Sequence, residues 1–284
     1  MKVHFIGSGA APSMPVPFCI CDSCSLARER GGKNLRRRSS LLVDNEILLD
    51  LGPDTATGGM EQGIALDAVR LCLQTHPHED HIDPEFLISR HSEWGTLFRE
   101  ELRLGASRKT LEQIDLLCSR RCSYGTIFDP DVQTALRLRV EELSAYSTFE
   151  YRNYRITPYP ANHAPGYDAF LYSIEEGQRA VFYGTDTSTI SESVWNHMEE
   201  SGVRYDLMIL DHTYGIGFES SDHLCAAAVE EYASILRDRR ILKSTGTVYA
   251  THLSHEGIRE HGELDRYAAA RGYRIAYDGL TVQL

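Results

Sequence analysis

Short apolar runs alternate with polar turns in the first part of the chain, and this pattern predicts strands. Asp44 and Asn45 separate two of these runs, and both residue types tolerate the positive φ of a tight hairpin turn. From residue 84 to 95 the apolar spacing becomes helical, and Pro84 stands where proline suits a first helical turn. The predicted strands are 2–6, 40–43, 46–50 and 69–74.

Strands continue beyond residue 102, and helices become more frequent toward the end of the chain. Because two strand-rich halves each gain helices, we predict an α/β (α+β) fold with two sheets packed face to face and helices outside. No repeat or long linker interrupts the 284 residues, so we predict a single domain over 1–284. The further predicted strands are 136–143, 148–151, 154–159, 169–174, 180–183, 207–210, 248–251, 274–276 and 281–283, and the helices are 109–121, 191–201, 222–237 and 256–271.

The composition is that of an ordinary globular protein, with 42% hydrophobic and 25% charged residues. A net charge of -12 argues against a general nucleic-acid binder, which needs a basic surface. One compact basic run, Arg36, Arg37 and Arg38, either contacts an anionic substrate or forms a solvated loop over the site. The chain opens without a signal-peptide pattern, and no apolar run reaches the roughly 20 residues that span a bilayer. We therefore expect a cytoplasmic protein with no membrane partner.

The densest chemistry lies in the segment Thr-His-Pro-His-Glu-Asp-His at 75–81, which follows the predicted strand 69–74. Burying three imidazoles and a carboxylate together without a metal would be costly. A loop leaving the strand can turn His76 and His78 toward one metal while Asp80 and His81 face a second. Two metals held by one loop suit hydrolysis, because a shared water loses a proton near neutral pH.

Further ligands for such a pair are predicted at the ends of later strands, where loops converge. The candidates are His163, Asp186 and His252. Asp186 can bridge two cations through its two oxygens. The resulting hypothesis places His76, His78 and His163 on one metal, places Asp80, His81 and His252 on the other, and sets Asp186 between them.

These residues resemble the metallo-β-lactamase superfamily, whose hallmark His-x-His-x-Asp-His is met by residues 76–81. The order of His163, Asp186 and His252 also fits, so the resemblance covers nearly the whole chain. It implies an αββα sandwich of two mixed sheets with the metals at one edge. The hallmark is specific for the superfamily and says little about the substrate.

A second cluster narrows this resemblance. Cys19, Cys21 and Cys24 lie in the loop after the first strand, and His255 follows His252 by three positions. Three thiolates and one imidazole make a closed structural zinc site without an open position. This combination is similar to the phosphoribosyl 1,2-cyclic phosphate phosphodiesterase family of phosphonate breakdown, which implies a structural Zn²⁺ beside a catalytic metal pair.

That family also implies a catalytic histidine outside the metal ligands. His223 fits this role in the segment 221–224, which we predict to begin a helix with Asp222 as its N-cap. The predicted catalytic residues are therefore His223 and Asp80. Asp211 is a candidate to orient a metal-bound histidine, and His212 is a candidate for a place near the ligands. The segment 83–162 is longer than in the family, which leaves the substrate open.

The leading hypothesis is a metal-dependent phosphodiesterase that hydrolyses a small cyclic phosphate or phosphodiester by attack of a metal-bridging hydroxide. Either Mn²⁺ or Zn²⁺ suits the pair. Two alternatives remain, a ribonuclease Z-like tRNA-processing hydrolase and a non-catalytic accessory protein like that of pyrroloquinoline quinone biosynthesis. The expected partner is a small-molecule phosphate ester rather than nucleic acid, and the oligomeric state stays open, a homodimer included.

Overall fold

Two seven-stranded sheets pack face to face in a computed structural model that describes residues 1–98, 100–219, 221–258 and 260–284. Both sheets are mixed: β3 to β6 run parallel in the first and β10 to β13 in the second, while the other pairs are antiparallel. The first sheet has the order β14 (Thr281–Gln283), β1 (Lys2–Gly7), β2 (Ser40–Val43), β3 (Ile47–Leu49), β4 (Leu71–Leu73), β5 (Leu102–Ala106) and β6 (Leu138–Glu142). The second has the order β13 (Arg274–Ile275), β12 (Leu242–Thr251), β11 (Tyr205–Asp211), β10 (Arg179–Gly184), β9 (Phe170–Glu176), β8 (Tyr154–Pro160) and β7 (Phe149–Tyr151).

Helices cover the outer face of each sheet. Those packed on the first sheet are α2 (Thr55–Glu61), α3 (Glu85–Ile88), α4 (Arg108–Ser119) and α5 (Pro130–Leu136). Those packed on the second are α6 (Glu192–Ser201), α7 (Ala226–Asp238) and α8 (His261–Ala269), and α1 (Asp22–Arg30) follows the first strand. None of the described helices combines the length and the hydropathy needed to cross a membrane.

Strand residues alternate between the inter-sheet core and the helical layers. Leu207 and Ile209 of β11 point into the core between the sheets, whereas Met208 and Leu210 pack under the helices. In β2, Leu41 and Val43 face the inter-sheet core in the same way. Since both faces of each strand are covered, the strands are apolar runs rather than alternating patterns. The predicted αββα sandwich of two mixed sheets is confirmed.

The predicted hairpin turn between β2 and β3 is also confirmed. Asp44 and Asn45 adopt φ of 51° and 58°, and the two strands pair in antiparallel register. The next strand boundary differs from the prediction. The segment 136–143 is not one strand, because Arg137 adopts φ 47° and separates the end of α5 from the start of β6 at Leu138.

The helix predicted over 222–237 begins only at Ala226, so Asp222 is not its N-cap. The backbone of the preceding segment is engaged elsewhere. The amide of Leu224 donates to Asp211 Oδ1 at 3.1 Å, and its carbonyl accepts from the amide of Tyr214 at 3.1 Å. These bonds hold the chain extended up to Cys225, where the helix starts.

Two further helix predictions need correction, and three helices were not predicted. The helix predicted over 84–95 is only α3, because His91 turns extended and its side chain accepts from the amide of Glu93 to begin a separate short turn. The helix predicted over 256–271 is shorter and begins at His261. The sequence pattern did not predict α1, α2 or α5, which are short and carry few apolar positions.

Replacing Ile209 by alanine should lower the free energy of unfolding by about 2–5 kcal/mol, because the side chain is fully buried between the sheets. Leu97→Ala is the matched control, since Leu97 is 96% exposed and its loss should change stability by less than about 0.5 kcal/mol. Urea unfolding of both variants in the same buffer measures the difference. Equal effects would contradict the assignment of Ile209 to the core.

Candidate metal centre

Residues that carry chemistry collect at one edge of the sandwich, where several strands end. The segment 76–81 follows β4, Asp186 follows β10 and His252 follows β12. Asp50, after β3, belongs to the same edge. Asp50, Asp186 and His252 adopt φ of 64°, 52° and 58°. Residues other than glycine rarely adopt this conformation, and such backbone strain clusters at functional sites.

The first group of side chains consists of His76, His78 and His163. One nitrogen from each lies within 4.8 Å of the others, and Nδ1 of His78 is 3.3 Å from Nε2 of His163. Two imidazole nitrogens on a tetrahedral zinc ion would be about 3.4 Å apart, given Zn–N bonds near 2.05 Å. The spacing of these two nitrogens therefore matches one metal position.

The second group consists of Asp80, His81 and His252. Oδ2 of Asp80 lies 3.2 Å from Nε2 of His81 and 3.5 Å from Nε2 of His252. The rings of His81 and His252 stack with their centroids 5.5 Å apart. Two imidazoles and a carboxylate therefore converge on a second point.

Asp186 lies between the two groups and contacts both. Its Oδ2 is 2.9 Å from Nε2 of His81, and its Oδ1 is 3.2 Å from Nε2 of His252 and 3.7 Å from Nε2 of His163. The side chain is buried, and its two oxygens are held among three imidazoles. This is the arrangement that a carboxylate shared by two cations requires.

The buried nitrogens of this cluster fit a cation. Among the described residues, no hydrogen-bond partner faces Nε2 of His76, while Nε2 of His81 and of His252 face the carboxylates of Asp80 and Asp186. A buried polar atom without a partner is costly, and each of these atoms points at a neighbouring ligand group. Burial lowers the pKa of His76, of His78 and of His163, so their lone pairs are available.

The acidic members of the cluster keep their negative charge. Burial acts to raise the pKa of Asp186, but His252 and His81 outweigh it and hold that pKa well below its usual range. His81 and His252 also outweigh the effect of burial at Asp80 and lower its pKa. Burial alone would lower the pKa of His81, but Asp186, Asp80 and Asp50 hold it well above its usual value. The carboxylates thus hold a proton on His81 that a bound cation would replace.

Asp50 supports the candidate site, and the sequence pattern did not identify it. Its Oδ2 accepts from Nδ1 of His81 at 2.8 Å, which aims Nε2 of that ring at Asp80 and Asp186. Its Oδ1 accepts from the amide of Thr75 at 2.8 Å and from Nε2 of Gln74 at 3.0 Å. An acidic residue at the end of a buried strand beside the ligand loop was the available signal.

His223 stands next to the cluster and is held by Asp211. Its Nδ1 donates to Asp211 Oδ2 at 2.8 Å, and its ring stacks on His252 with centroids 5.3 Å apart. Burial acts to lower the pKa of His223, but the bond and the charge of Asp211 raise it to about 9. Asp211 lies 3.7 Å from Nδ1 of His252, whereas the hydroxyl of Thr213 lies only 2.7 Å from it. Asp211 thus orients His223, and Thr213 contacts the candidate ligand.

His212 does not join the site. It is buried with Nε2 3.3 Å from the hydroxyl of Tyr273, and burial lowers its pKa to about 4.

The three arginines of the basic run are also not all at the candidate site. Arg36 is buried and donates to Ser8 and to the carbonyl of Ala276.

Only Arg38 of the basic run lines a cavity at the candidate site. Arg37 pairs with Asp278 at 3.2 Å. Arg38 makes a bidentate pair with Asp54, at 2.7 Å and 2.8 Å, and its side chain remains partly exposed. Its charge is therefore largely balanced, although it stays within reach of a ligand.

Cys19, Cys21, Cys24 and His255 converge away from this cluster. The three Sγ atoms lie 3.5, 3.3 and 3.6 Å from Nδ1 of His255. Zn–S bonds near 2.3 Å and Zn–N bonds near 2.05 Å in a tetrahedron put sulfur and nitrogen about 3.6 Å apart. The spacing therefore suits a closed zinc site.

This cysteine group is tied to the loop that carries His252. The amide of Ala10 donates to the carbonyl of Leu253 at 3.1 Å, and the amide of Leu253 donates to the carbonyl of Ser8 at 3.0 Å. His255 follows two residues later. The N-terminal loop and the His252 loop therefore form one unit.

Sequence comparison identifies the family. The sequence profile described as the beta-lactamase superfamily domain matches residues 45–253. Among curated proteins, the endoribonuclease YSH1 of Yarrowia lipolytica is 25% identical over 209 residues, which cover 69% of this chain and 24% of that protein. The endoribonuclease ysh1 of Emericella nidulans is 24% identical over 198 residues, covering 66% of this chain and 22% of that protein. The chain thus spans about a quarter of the length of these relatives.

Solved structures share the fold over the full chain. A diphosphatase from the PhnP family superposes with a TM-score of 0.73 at 22% identity, covering 100% of this chain and 97% of that one. Zn²⁺-bound PqqB from Methylobacterium extorquens gives 0.72 at 18% identity and full coverage of both chains. The short form of human tRNase Z gives 0.65 at 16% identity, covering 100% of this chain and 99% of that one. With the profile match across most of the chain, these findings show that it belongs to the metallo-β-lactamase superfamily.

Proposed function

We propose that this protein is a dinuclear metal-dependent phosphodiesterase that acts on a small cyclic phosphate or phosphodiester. The observation that carries the proposal is the position of Asp186 between two groups of imidazoles, with His223 beside them. A single chain thus offers two cation positions and one proton donor at the same edge. These are the parts that hydrolysis of a phosphate ester requires.

The proposed ligands are His76, His78 and His163 for one ion and Asp80, His81 and His252 for the other, with Asp186 shared. Divalent ions bound there would act as Lewis acids toward the phosphate and would lower the pKa of water. The nitrogen and oxygen donors suit either Mn²⁺ or Zn²⁺. Cys19, Cys21, Cys24 and His255 are the proposed ligands of a separate structural Zn²⁺.

His223 is the proposed proton donor for the leaving oxygen. Since Nδ1 is bonded to Asp211, we assign the donated proton to Nε2 of the same ring. In the proposed reaction, a water gives up one proton to solvent and its oxygen bonds to phosphorus, while the bond to the leaving oxygen breaks with its electron pair and that oxygen takes the proton of His223, which solvent then replaces. Asp211 holds the ring in place, because its other oxygen accepts from the amides of Thr213 and Leu224.

The compared proteins support chemistry at phosphorus over thioester or β-lactam hydrolysis. Their names describe endoribonucleases, a diphosphatase and a tRNase. The non-catalytic alternative is weakened by the complete set of proposed ligands and by the Asp211–His223 pair. Catalysis is therefore the proposal that uses all of these residues.

RNA hydrolysis is the second candidate, because the curated relatives are endoribonucleases. The net charge of -12 disfavours the electrostatic contacts that a long RNA strand needs. Metal-loaded enzyme should therefore hydrolyse 2′,3′-cyclic AMP or bis(p-nitrophenyl) phosphate faster than an unstructured RNA. The comparison is made as kcat/KM at one salt concentration. Faster RNA cleavage would favour the nuclease, and no turnover with all metals bound would favour the accessory protein.

Cys24→Ser should remove about one zinc per chain and leave the other metals in place, because a closed site fails when one thiolate is lost. His76→Ala is the reciprocal variant and should lower the remaining metal content while it keeps the cysteine-bound zinc. Elemental analysis after gel filtration measures both. Loss of every metal from Cys24→Ser, with the fold intact by circular dichroism, would contradict two separate sites.

His223→Ala should keep its metal content. Its loss of activity should depend on how strongly the leaving group of the substrate needs a proton. With thymidylyl-(3′→5′)-thymidine, a small phosphodiester whose leaving group is an alkoxide, kcat should fall about 10² to 10⁴-fold. With bis(p-nitrophenyl) phosphate the fall should be much smaller, because p-nitrophenolate leaves without a proton. His91→Ala is the control, since His91 stacks on Tyr124 away from the site. An equal loss with both substrates would remove His223 from proton transfer.

A further inference from the structure

Two cavities open on the candidate site and share two residues, His78 and Tyr167. One has a volume of about 480 Å³ and reaches from His78 and Asp80 to α4; we call it the α4 cavity. The other has a volume of about 290 Å³ and is bordered by Asn162 and His163; we call it the His163 cavity. A phosphorus atom beside His78 would therefore have room for a substituent on each side.

Helix α4 forms one wall of the α4 cavity. It also positions Tyr167, which borders both cavities. Gln113, Leu117 and Arg120 of this helix region line the cavity. At its other end, the hydroxyls of Ser107 and Thr110 donate to the carbonyl of Tyr167 at 2.7 and 3.1 Å. These bonds hold the segment of Tyr167 against the first turn of α4.

Charged residues line both cavities. The α4 cavity has Arg38 and Arg120 on its wall, and Glu79 and Asp80 line it as well. The His163 cavity instead has Asp222 on its wall. Space rather than net charge therefore distinguishes the two cavities.

The proposed proton donor, His223, lies next to His163, although its own ring lines a separate cavity beside Ser188 and Trp195. Ser221 and Asp222, which line the His163 cavity, immediately precede His223 in the chain. The ring centroids of His223 and His163 are 4.8 Å apart. The oxygen that receives the proton must lie on the side of the His163 cavity, so the leaving substituent does as well.

We propose that the site takes an acyclic phosphodiester, with the leaving substituent in the His163 cavity and the retained substituent in the α4 cavity. This inference rests on the proposed phosphodiesterase function and narrows its substrate class. In a cyclic phosphate both ester oxygens belong to one group, which cannot extend separately into both spaces. The α4 region, an extension that the sequence alone left without a role, thereby becomes the wall that selects the retained group.

The test uses two substrates that share a leaving group and differ only in the retained one, bis(p-nitrophenyl) phosphate and methyl p-nitrophenyl phosphate. Gln113→Trp narrows the α4 cavity and should lower kcat/KM for the first on the order of 10²-fold, with little change for the second. Glu112→Trp is the matched control, because Glu112 is exposed on the same helix and pairs with Arg108 at 2.8 Å. Ser221→Trp narrows the His163 cavity and should slow both substrates, because both place p-nitrophenol there.

Metal content and thermal unfolding of each variant establish that the fold is retained. If Gln113→Trp changes kcat/KM of both substrates by the same factor, the retained group does not occupy the α4 cavity and the inference is wrong, although the phosphodiesterase stands. If the wild-type protein with all metals bound hydrolyses neither substrate, the proposed function itself is wrong. The two failures are therefore distinguishable.

Discussion

The contact of one carboxylate, Asp186, with imidazoles of both ligand groups is the interaction on which the site depends. Its oxygens lie 2.9 Å from His81 and 3.2 Å from His252, deep at the edge of the sandwich. Five imidazoles and two carboxylates are gathered there, and the buried Nε2 of His76 has no hydrogen-bond partner among the described residues. Such a group is stable when cations balance its charge and occupy its lone pairs. This edge of the fold therefore suits metal binding, and the hydrolytic chemistry proposed for it follows from that.

The surrounding structure fixes the direction of each ring. Asp50 holds His81 from behind, and Thr213 contacts His252. Asp211 holds His223 through one oxygen and the local backbone through the other. Ligands oriented in this way bind metal more tightly, because less conformational freedom is lost on binding. The positive φ of Asp50, Asp186 and His252 shows that the backbone too is bent to present these groups.

The segment between residues 83 and 162 connects this chemistry to substrate choice. Its helix α4 covers the first sheet through Leu111, Ile114 and Cys118, and the same helix contributes Gln113 to the cavity wall. The same helix, α4, therefore contributes both to the packing of the core and to the wall of the α4 cavity. We expect a related chain with a different helix at this point to keep the candidate ligands and to present a different cavity wall.

The sequence by itself determined the sandwich, most strands and the set of residues assembled at the edge, because dense histidines after apolar strands leave a strong local signal. It did not determine the role of Asp50 or the pairing of Asp211 with His223, since an acidic residue at the end of a strand is by itself only a weak signal. It also misplaced Asp222 as a helix cap, because the bond from Leu224 to Asp211 spans 13 residues and overrides local propensity. Only the tertiary structure decided which side chains face each other across the edge, and that proximity arises from the packing of two sheets rather than from any spacing along the chain.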